Sequence, residues 1–477
     1  LLDIVLTLFV LSIKMKRCFA NILLLSTIFC CTTEKEIFSP STDETTENYE
    51  DPINQIINSF DEYNNDERHL SDYIYDQDKL HRFDIYITEK NLDKIDRNPA
   101  AEKYVEGHLV FENKIVKNVG VRYKGSIGAW VGCLSNEDWA NPSGYKTCPK
   151  LSMKIKFNWR GNKKFYNLKK LQFHSQNLDP SKMHERLGYY MFRKFGIIAP
   201  RSNHALIYIN GEFNGIFANT ENVDGPFTNK HFEKPDGNLY KEVWPVKSSG
   251  NSQTEDYFIG GLKTNEEASD VSKMKRFSDL LGATDFYGSK AIVNQWINQD
   301  LFLKTLVVDR RIANDDGFLH FYHQENEIFE NHNYYWYEDP TEDNLQLIPW
   351  DLDNSFENLI QNLNPVTPIK DKWYNTSNEC NGFRYGSFNL LQKSAACDKI
   401  IGSYKDLKDR YYELDTIFKN ELFNMSNINL LLNKWSSQIE TEVERANQIF
   451  GDKEPNLKLW QESVNYLKYS ISESLKQ

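Results

Sequence analysis

Apolar residues alternate with period two through much of the first half of this chain and recur at helical spacing through the second. No other feature restricts its fold as much. From Phe83 onward, FDIYIT, HLVFE, NVGVRYKG and LSMKIKFN each place apolar side chains on one face, with turn-forming residues between the runs, and so predict a sheet with several antiparallel strands. HALIYINGEFNGIF predicts a hairpin turning at Asn210-Gly211, because both residues accept the positive φ that a two-residue turn demands. The exception in this part is SKMHERLGYYMFRKFGI, residues 181–197. There Leu187, Tyr190, Met191 and Phe195 recur at helical spacing behind Asp179, Pro180 and Ser181, either acid or hydroxyl serving as cap. After Asp256 the helical runs VSKMKRFSDLLG and SKAIVNQWINQDLFLKTLVVD dominate, broken by a second hairpin from NYYWYEDP and LQLIPWD. Two more helical stretches follow Ser426, separated at Gly451 and Pro455. The pattern predicts an α+β protein with a sheet-rich first part and a mostly helical second part.

At 477 residues and 40% apolar composition the chain can bury a large core, which excludes disordered, collagen-like and mostly membrane-embedded classes. A formal charge of -12 argues against the long basic footprint of a nonspecific nucleic-acid binder. Met15-Lys16-Arg17 precedes the apolar run Phe19 to Cys31, so residues 1–31 read as a signal peptide with its working start at Met15. That run is too short to span a bilayer comfortably. Read from Leu1 instead, the stretch is an uncleaved anchor, and Cys30-Cys31 raise a lipoprotein site. Export to the cell surface or beyond is the common element. Residues 32–78 read as an acidic flexible linker, since residues 41–66 hold eight acidic residues and no Lys or Arg. Of seven cysteines, Cys18, Cys30 and Cys31 go with the leader; Cys133/Cys148 and Cys380/Cys397 form two close pairs, predicting two local disulfides in an exported chain.

Charge concentrates in two places. Between Lys150 and Asn177 there are eight basic residues and no acidic one, and Lys154 and Lys156 fall two apart on one strand face, suited to a phosphate. Upstream, Arg122-Tyr123-Lys124-Gly125-Ser126-Ile127-Gly128 ends a strand in a glycine turn whose amides can line an anion, although it is not a P-loop. The acidic counterpart is Asn314-Asp315-Asp316-Gly317 and Asp351-Leu352-Asp353, both ending apolar elements, where paired carboxylates can face a divalent cation. Read blandly, these are a solvated strand face, a turn and two helix caps. The histidines, His174 and His332 among them, show no zinc spacing.

The segment 169–224, KKLQFHSQNLDPSKMHERLGYYMFRKFGIIAPRSNHALIYINGEFNGIFANTENVD, resembles the spore coat protein H (CotH) kinase family. The likeness continues at GNLYKE (237–242) and NHNYYWYEDPTEDNLQLIPWDLDNSF, covering roughly residues 80–357. The resemblance implies an atypical two-lobed protein-kinase-like fold and an exported enzyme that phosphorylates secreted or surface proteins with ATP and Mg2+ or Mn2+. It puts the ATP-phosphate lysine at Lys156, with Lys154 adjacent, and its glutamate partner at Glu185 in MHERL. Lys124 and Ser126 of the glycine turn and Glu221 in ANTENVD complete the nucleotide side. Asp316 takes the catalytic position with Asp315 as its rival, because FLHFYHQENEIFENH intervenes before the Asn-Tyr-Tyr where relatives have only a few residues. Asn333, Asp351 and Asp353 take the metal side. It also implies an N-lobe over residues 79–250, a C-lobe over 251–425 and a helical extension over 426–477. The partner is a protein substrate, the chain itself included through autophosphorylation; no nucleic acid is implied, and the membrane enters only through the leader or a lipid. The rival functions are a weakly active adhesin or coat-like structural protein on the same fold, and a nucleotidyl transferase.

Overall fold

The computed structural model describes residues 52–66, 70–125, 127–130, 132–136, 138, 141–324, 328–360, 378–385 and 390–476. The leader, residues 32–51 of the linker and Ser126 lie outside them.

Strands β1 (Asp61–Glu62), β2 (His81–Tyr86), β3 (Val105–Phe111), β4 (Lys114–Tyr123), β5 (Met153–Lys156), β6 (Lys170–His174), β7 (Ser202–Ile209) and β8 (Glu212–Thr220) form one eight-stranded sheet. Its order is β1-β4-β3-β2-β7-β8-β6-β5, and β5 pairs back onto β4, so the sheet closes on itself. The alternating residues explain the closure: Phe83, Ile85, Val121, Met153, Ile155, Leu171, Phe173 and Phe217 all point inward into one apolar core. Burying side chains of this size stabilises by roughly 1.5–3 kcal/mol each. On β5 the same alternation sends Lys154 and Lys156 to the outer face. The hairpin between β7 and β8 turns at Asn210 and Gly211, with φ of 52° and 86°.

Strands β7 and β8 are covered on both faces. Their outer side chains Leu206, Tyr208, Phe213 and Ile216 join a second core built mostly from helices. These include α1 (His184–Lys194), α2 (Ser272–Gly282), α3 (Gln299–Arg311), α4 (Lys408–Glu421), α5 (Met425–Phe450) and α6 (Leu457–Leu475). The stretch 426–477, expected as an extension, packs into that core through Trp435, Ile439, Val443, Trp460 and Leu467. Arg186 of α1 meets Gln438 at 3.0 Å, and the Trp460 indole donates to the Ser181 carbonyl at 3.0 Å.

The later half is less purely helical than its periodicity implies. It contains a three-stranded sheet of β9 (Leu239–Lys241), β12 (Tyr334–Asp339) and β13 (Asn344–Pro349). A second sheet joins β10 (Phe321–His323), β11 (Phe329–Glu330), β14 (Phe383–Tyr385) and β15 (Leu390–Lys393). The architecture is α+β, with an N-terminal sheet and a C-terminal helical region. The described part of the expected linker is also folded. A short helix at Pro52–Ile57 packs Ile53 and Ile57 on Tyr86, Val110 and Ile115, while Ile74 and Tyr75 enter the closed sheet. Its acidic residues masked a few well-spaced apolar anchors.

Both cysteine pairs are disulfides, with Cα–Cα distances of 4.7 Å for Cys133–Cys148 and 5.7 Å for Cys380–Cys397. Among the described residues no helix is long and apolar enough to cross a membrane.

Candidate active site

The hairpin β12–β13 assembles one side of the site. Its register pairs Tyr334 with Pro349, which places Asn333 and Asp351 together at its open end. Both have left-handed backbones, φ 64° and 54°, a conformation that Asn and Asp tolerate better than most residues. The Trp350 amide donates to the Asn333 carbonyl at 3.1 Å, and the Asp351 amide to the Tyr189 hydroxyl at 3.0 Å.

Asp316 comes from the turn after α3. That turn is framed by Asp309, Arg310 and Asn314, all buried, and Asn314 donates to Asp309 at 2.9 Å. A Cβ at Gly317 would lie 2.1 Å from the Asn314 amide nitrogen, so the tight turn requires glycine. Asp316 Oδ1 accepts from the Tyr322 hydroxyl at 2.8 Å and His332 Nε2 at 2.9 Å, and Oδ2 accepts from Asn333 Nδ2 at 3.2 Å. The Asp316 and His332 side chains keep 30% and 40% of their exposure, so the pair sits recessed yet reachable from solvent. Burial raises the Asp316 carboxyl, but the hydrogen bond and charge of His332 outweigh it and hold the group below its ordinary value. Asp315 turns away to accept from Asn358.

From the closed sheet come Lys124 at the end of β4 and His174 at the end of β6. Lys124 Nζ lies 2.7 Å from His174 Nε2, and His174 Nδ1 lies 2.7 Å from Glu185 Oε1 in the first turn of α1. Glu185 is buried; Oε1 also accepts from Thr220 at 2.8 Å, while Oε2 has no hydrogen-bond partner among the described residues. Burial depresses Lys124, with Asp351 and Glu185 pulling the other way. Burial pushes the Asp353 carboxyl well above its ordinary value, and repulsion from Asp351, Glu185 and Asp316 adds to it, with Lys124 opposing. These charges therefore share one neighbourhood: a lysine, and four carboxylates that repel one another.

The other expected residues fall around or away from it. Burial and the charges of Lys124, Lys170 and Arg122 hold Lys154 well below the ordinary lysine value, which puts it beside Lys124 on the outer face. Lys156 lies over the Tyr104 ring at 5.7 Å, and among the described residues no contact joins it to Glu185. Glu221 is elsewhere: Arg201 Nε, at 3.0 Å, and His231 Nε2, at 2.9 Å, occupy its carboxylate and depress it against the effect of burial. In the glycine turn, the Gly125 amide donates to Glu102 Oε1 at 2.8 Å, so a carboxylate sits where an anion was expected.

Sequence reasoning missed His174, His332, Tyr322 and Glu242, whose Oε1 accepts from the Asn333 amide at 3.3 Å. A usable signal existed for three of them. His332 adjoins Asn333, Glu242 closes the GNLYKE motif, and His174 ends the run KLQFH, just ahead of the helix that carries Glu185. Among the described residues, no three His, Cys, Asp or Glu side chains converge as a ready-made metal cage.

The family model described as CotH kinase protein covers residues 121–476, and the chain belongs to that family. It is also 24% identical over 200 residues to the inner spore coat protein H of Bacillus subtilis (strain 168). The match spans 40% of this chain and about half, 51%, of that relative's length.

Proposed function

We propose that this protein is an exported protein kinase of atypical two-lobed design, transferring the γ-phosphoryl of ATP to hydroxyl side chains of proteins outside the cytoplasm. One observation carries the reading: Lys124, linked to Glu185, lies in the same neighbourhood as Asp316, Asp351 and Asp353. Phosphoryl transfer needs that combination, since its catalysis is mainly positioning and charge neutralisation.

In this reading Lys124, with Lys154 beside it, binds phosphate oxygens. Asp316 Oδ2 orients the acceptor hydroxyl and takes its proton as the new O–P bond forms and ADP leaves, while His332 and Tyr322 hold Oδ1. The mutually repelling acids and the orphaned Glu185 Oε2 suit a cation, and Asp351, Asp353 and Asn333 are the residues that would hold Mg2+ or Mn2+. Such an ion, when bound, offsets the charge of the triphosphate. The name of the Bacillus subtilis relative, a spore coat protein, supports a site of action on extracytoplasmic assemblies.

Incubation with γ-labelled or α-labelled ATP and Mg2+ or Mn2+ tests the proposal. Label from the γ position on protein, abolished in Asp316→Asn and Asp351→Asn, is the expected result. Label from the α position would mean nucleotidyl transfer. No label from either would favour an adhesin or coat-like role, and full activity in both variants would overturn the residue assignment.

A further inference from the structure

Lys124 and Glu185 do not touch; an imidazole stands between them. Lys124 Nζ and Glu185 Oε1 each lie 2.7 Å from a different nitrogen of His174. An ammonium only donates and a carboxylate only accepts, so the partners dictate the tautomer: His174 Nδ1 carries the proton toward Glu185, and the Nε2 lone pair accepts from Lys124. The ring itself is fixed. It is buried, it stands edge-on to Trp350 with centroids 5.9 Å apart at 87°, and its anchor Glu185 Oε1 is held a second time by Thr220 at 2.8 Å. Lys124, by contrast, has a flexible side chain, and Asp351 and Glu185 both attract it. The Trp350 ring, its centroid 5.7 Å from Nζ, gives the ammonium a broad apolar wall, and the 2.7 Å hydrogen bond to His174 gives it a direction.

We infer that His174 is a positioning residue, which fixes the Lys124 ammonium through Nε2 while anchored on Glu185, so that the lysine meets nucleotide phosphates at one point. This rests on the phosphotransfer reading above. It differs from a direct lysine–glutamate pair in one respect: the charge of Glu185 reaches the lysine through a rigid ring, and losing the ring loses the link without removing either charge.

The test is a double-mutant cycle on binding of mant-ATP with Mg2+ to the full chain, using Lys124→Met, His174→Phe, His174→Gln and the doubles with Lys124→Met. Phe keeps the aromatic packing on Trp350 and removes both hydrogen bonds, whereas Gln keeps one donor and one acceptor. We expect His174→Phe and Lys124→Met each to weaken binding about tenfold, the loss of one charge-assisted hydrogen bond. The double variant is then no weaker than Lys124→Met alone, because His174 acts only through the lysine. His174→Gln should retain affinity to within about threefold. Multiplied losses in the double variant, built with Phe or, should that fail to fold, with Gln, would overturn the inference while leaving a nucleotide-binding protein. Absence of mant-ATP binding by the unaltered chain would instead sink the phosphotransfer reading and the inference with it.

Discussion

Glu454 Oε1 lies 2.7 Å from Lys150 Nζ, and the two side chains are 3% and 1% exposed. Its other oxygen lies 2.9 Å from Lys182 Nζ. The turn between α5 and α6 is thus bolted to the loops that lead into β5 and α1. Burial, then repulsion from Lys182, brings Lys150 down to about 7 against the pull of Glu454. Burial raises Glu454, but the two lysines outweigh it and hold it at about 2.

Replacing Glu454 by Gln strands two buried ammonium groups, and the expected loss is about 3–5 kcal/mol. The sign with pH follows from the depressed carboxyl. Its contribution is complete above the ordinary value of 4.5 and is lost as pH falls toward about 2. Thermal unfolding should therefore show a large gap between the unaltered chain and Glu454→Gln at neutral pH that narrows in acid; equal Tm at neutral pH would refute the role.

His332 is predicted to titrate above the ordinary 6.5. Burial lowers it, but the hydrogen bond and charge of Asp316 more than compensate. A raised histidine stabilises fully below its ordinary value and loses that contribution as pH rises through the folded one. Asp316, being depressed, contributes above 3.8 and loses its share in acid. The pair is therefore strongest between those limits. NMR titration of the imidazole should give a lower value in Asp316→Asn than in the unaltered chain, since only the charges of Glu242 and Asp351 then oppose burial; an unchanged value would contradict the pairing.

The Cys133–Cys148 bridge closes a sequence separation of 15 residues, between the glycine turn and Lys150. Asn177 Nδ2 donates to Cys133 Sγ at 3.5 Å and to the Lys150 carbonyl at 3.1 Å, which ties the bridge to the segment leading into β5. Removing both sulfurs by Cys133→Ser and Cys148→Ser should cost about 2–4 kcal/mol. It should also speed proteolysis within the loop and weaken mant-ATP binding. Unchanged proteolysis and affinity would show that the bridge neither orders the loop nor bears on nucleotide binding.

Glu221→Gln separates a structural glutamate from a nucleotide-binding one. The side chain is buried with Arg201 and His231, so the expected outcome is a fall in Tm from a loss of about 3–5 kcal/mol. Affinity of the folded variant for mant-ATP should be unchanged; a selective loss of affinity at unchanged Tm would return Glu221 to the nucleotide site.

Elements whose pattern is local were legible in the sequence. Asn210-Gly211 announced its hairpin, the period of Leu187 and Met191 announced α1, and two close cysteine pairs announced two bridges. The family could be read from ordered motifs, as the match over residues 121–476 bears out. What escaped was long-range. Which lysine is linked to Glu185, here Lys124 through His174, depends on where β4 and β6 end relative to α1, and alternation alone cannot distinguish Lys124 from Lys156. The partnership of Lys150 with Glu454 leaves no local trace at either position, because each is an ordinary charged residue until the fold removes both from water.

The same clasp has a temporal consequence. Met183 and Leu187, at the start of the early helix, share a core with Trp435 and Trp460 far downstream, and the carboxylate that pairs with both Lys150 and Lys182 comes from the α5–α6 turn. A ribosome delivers those partners late. Until they emerge, the nascent closed sheet carries an uncovered apolar flank and two lysines suited to water, so the chain reaches its native packing only after α6 is synthesised. Under the export proposed above, such a polypeptide is threaded through a translocon first and finished afterwards.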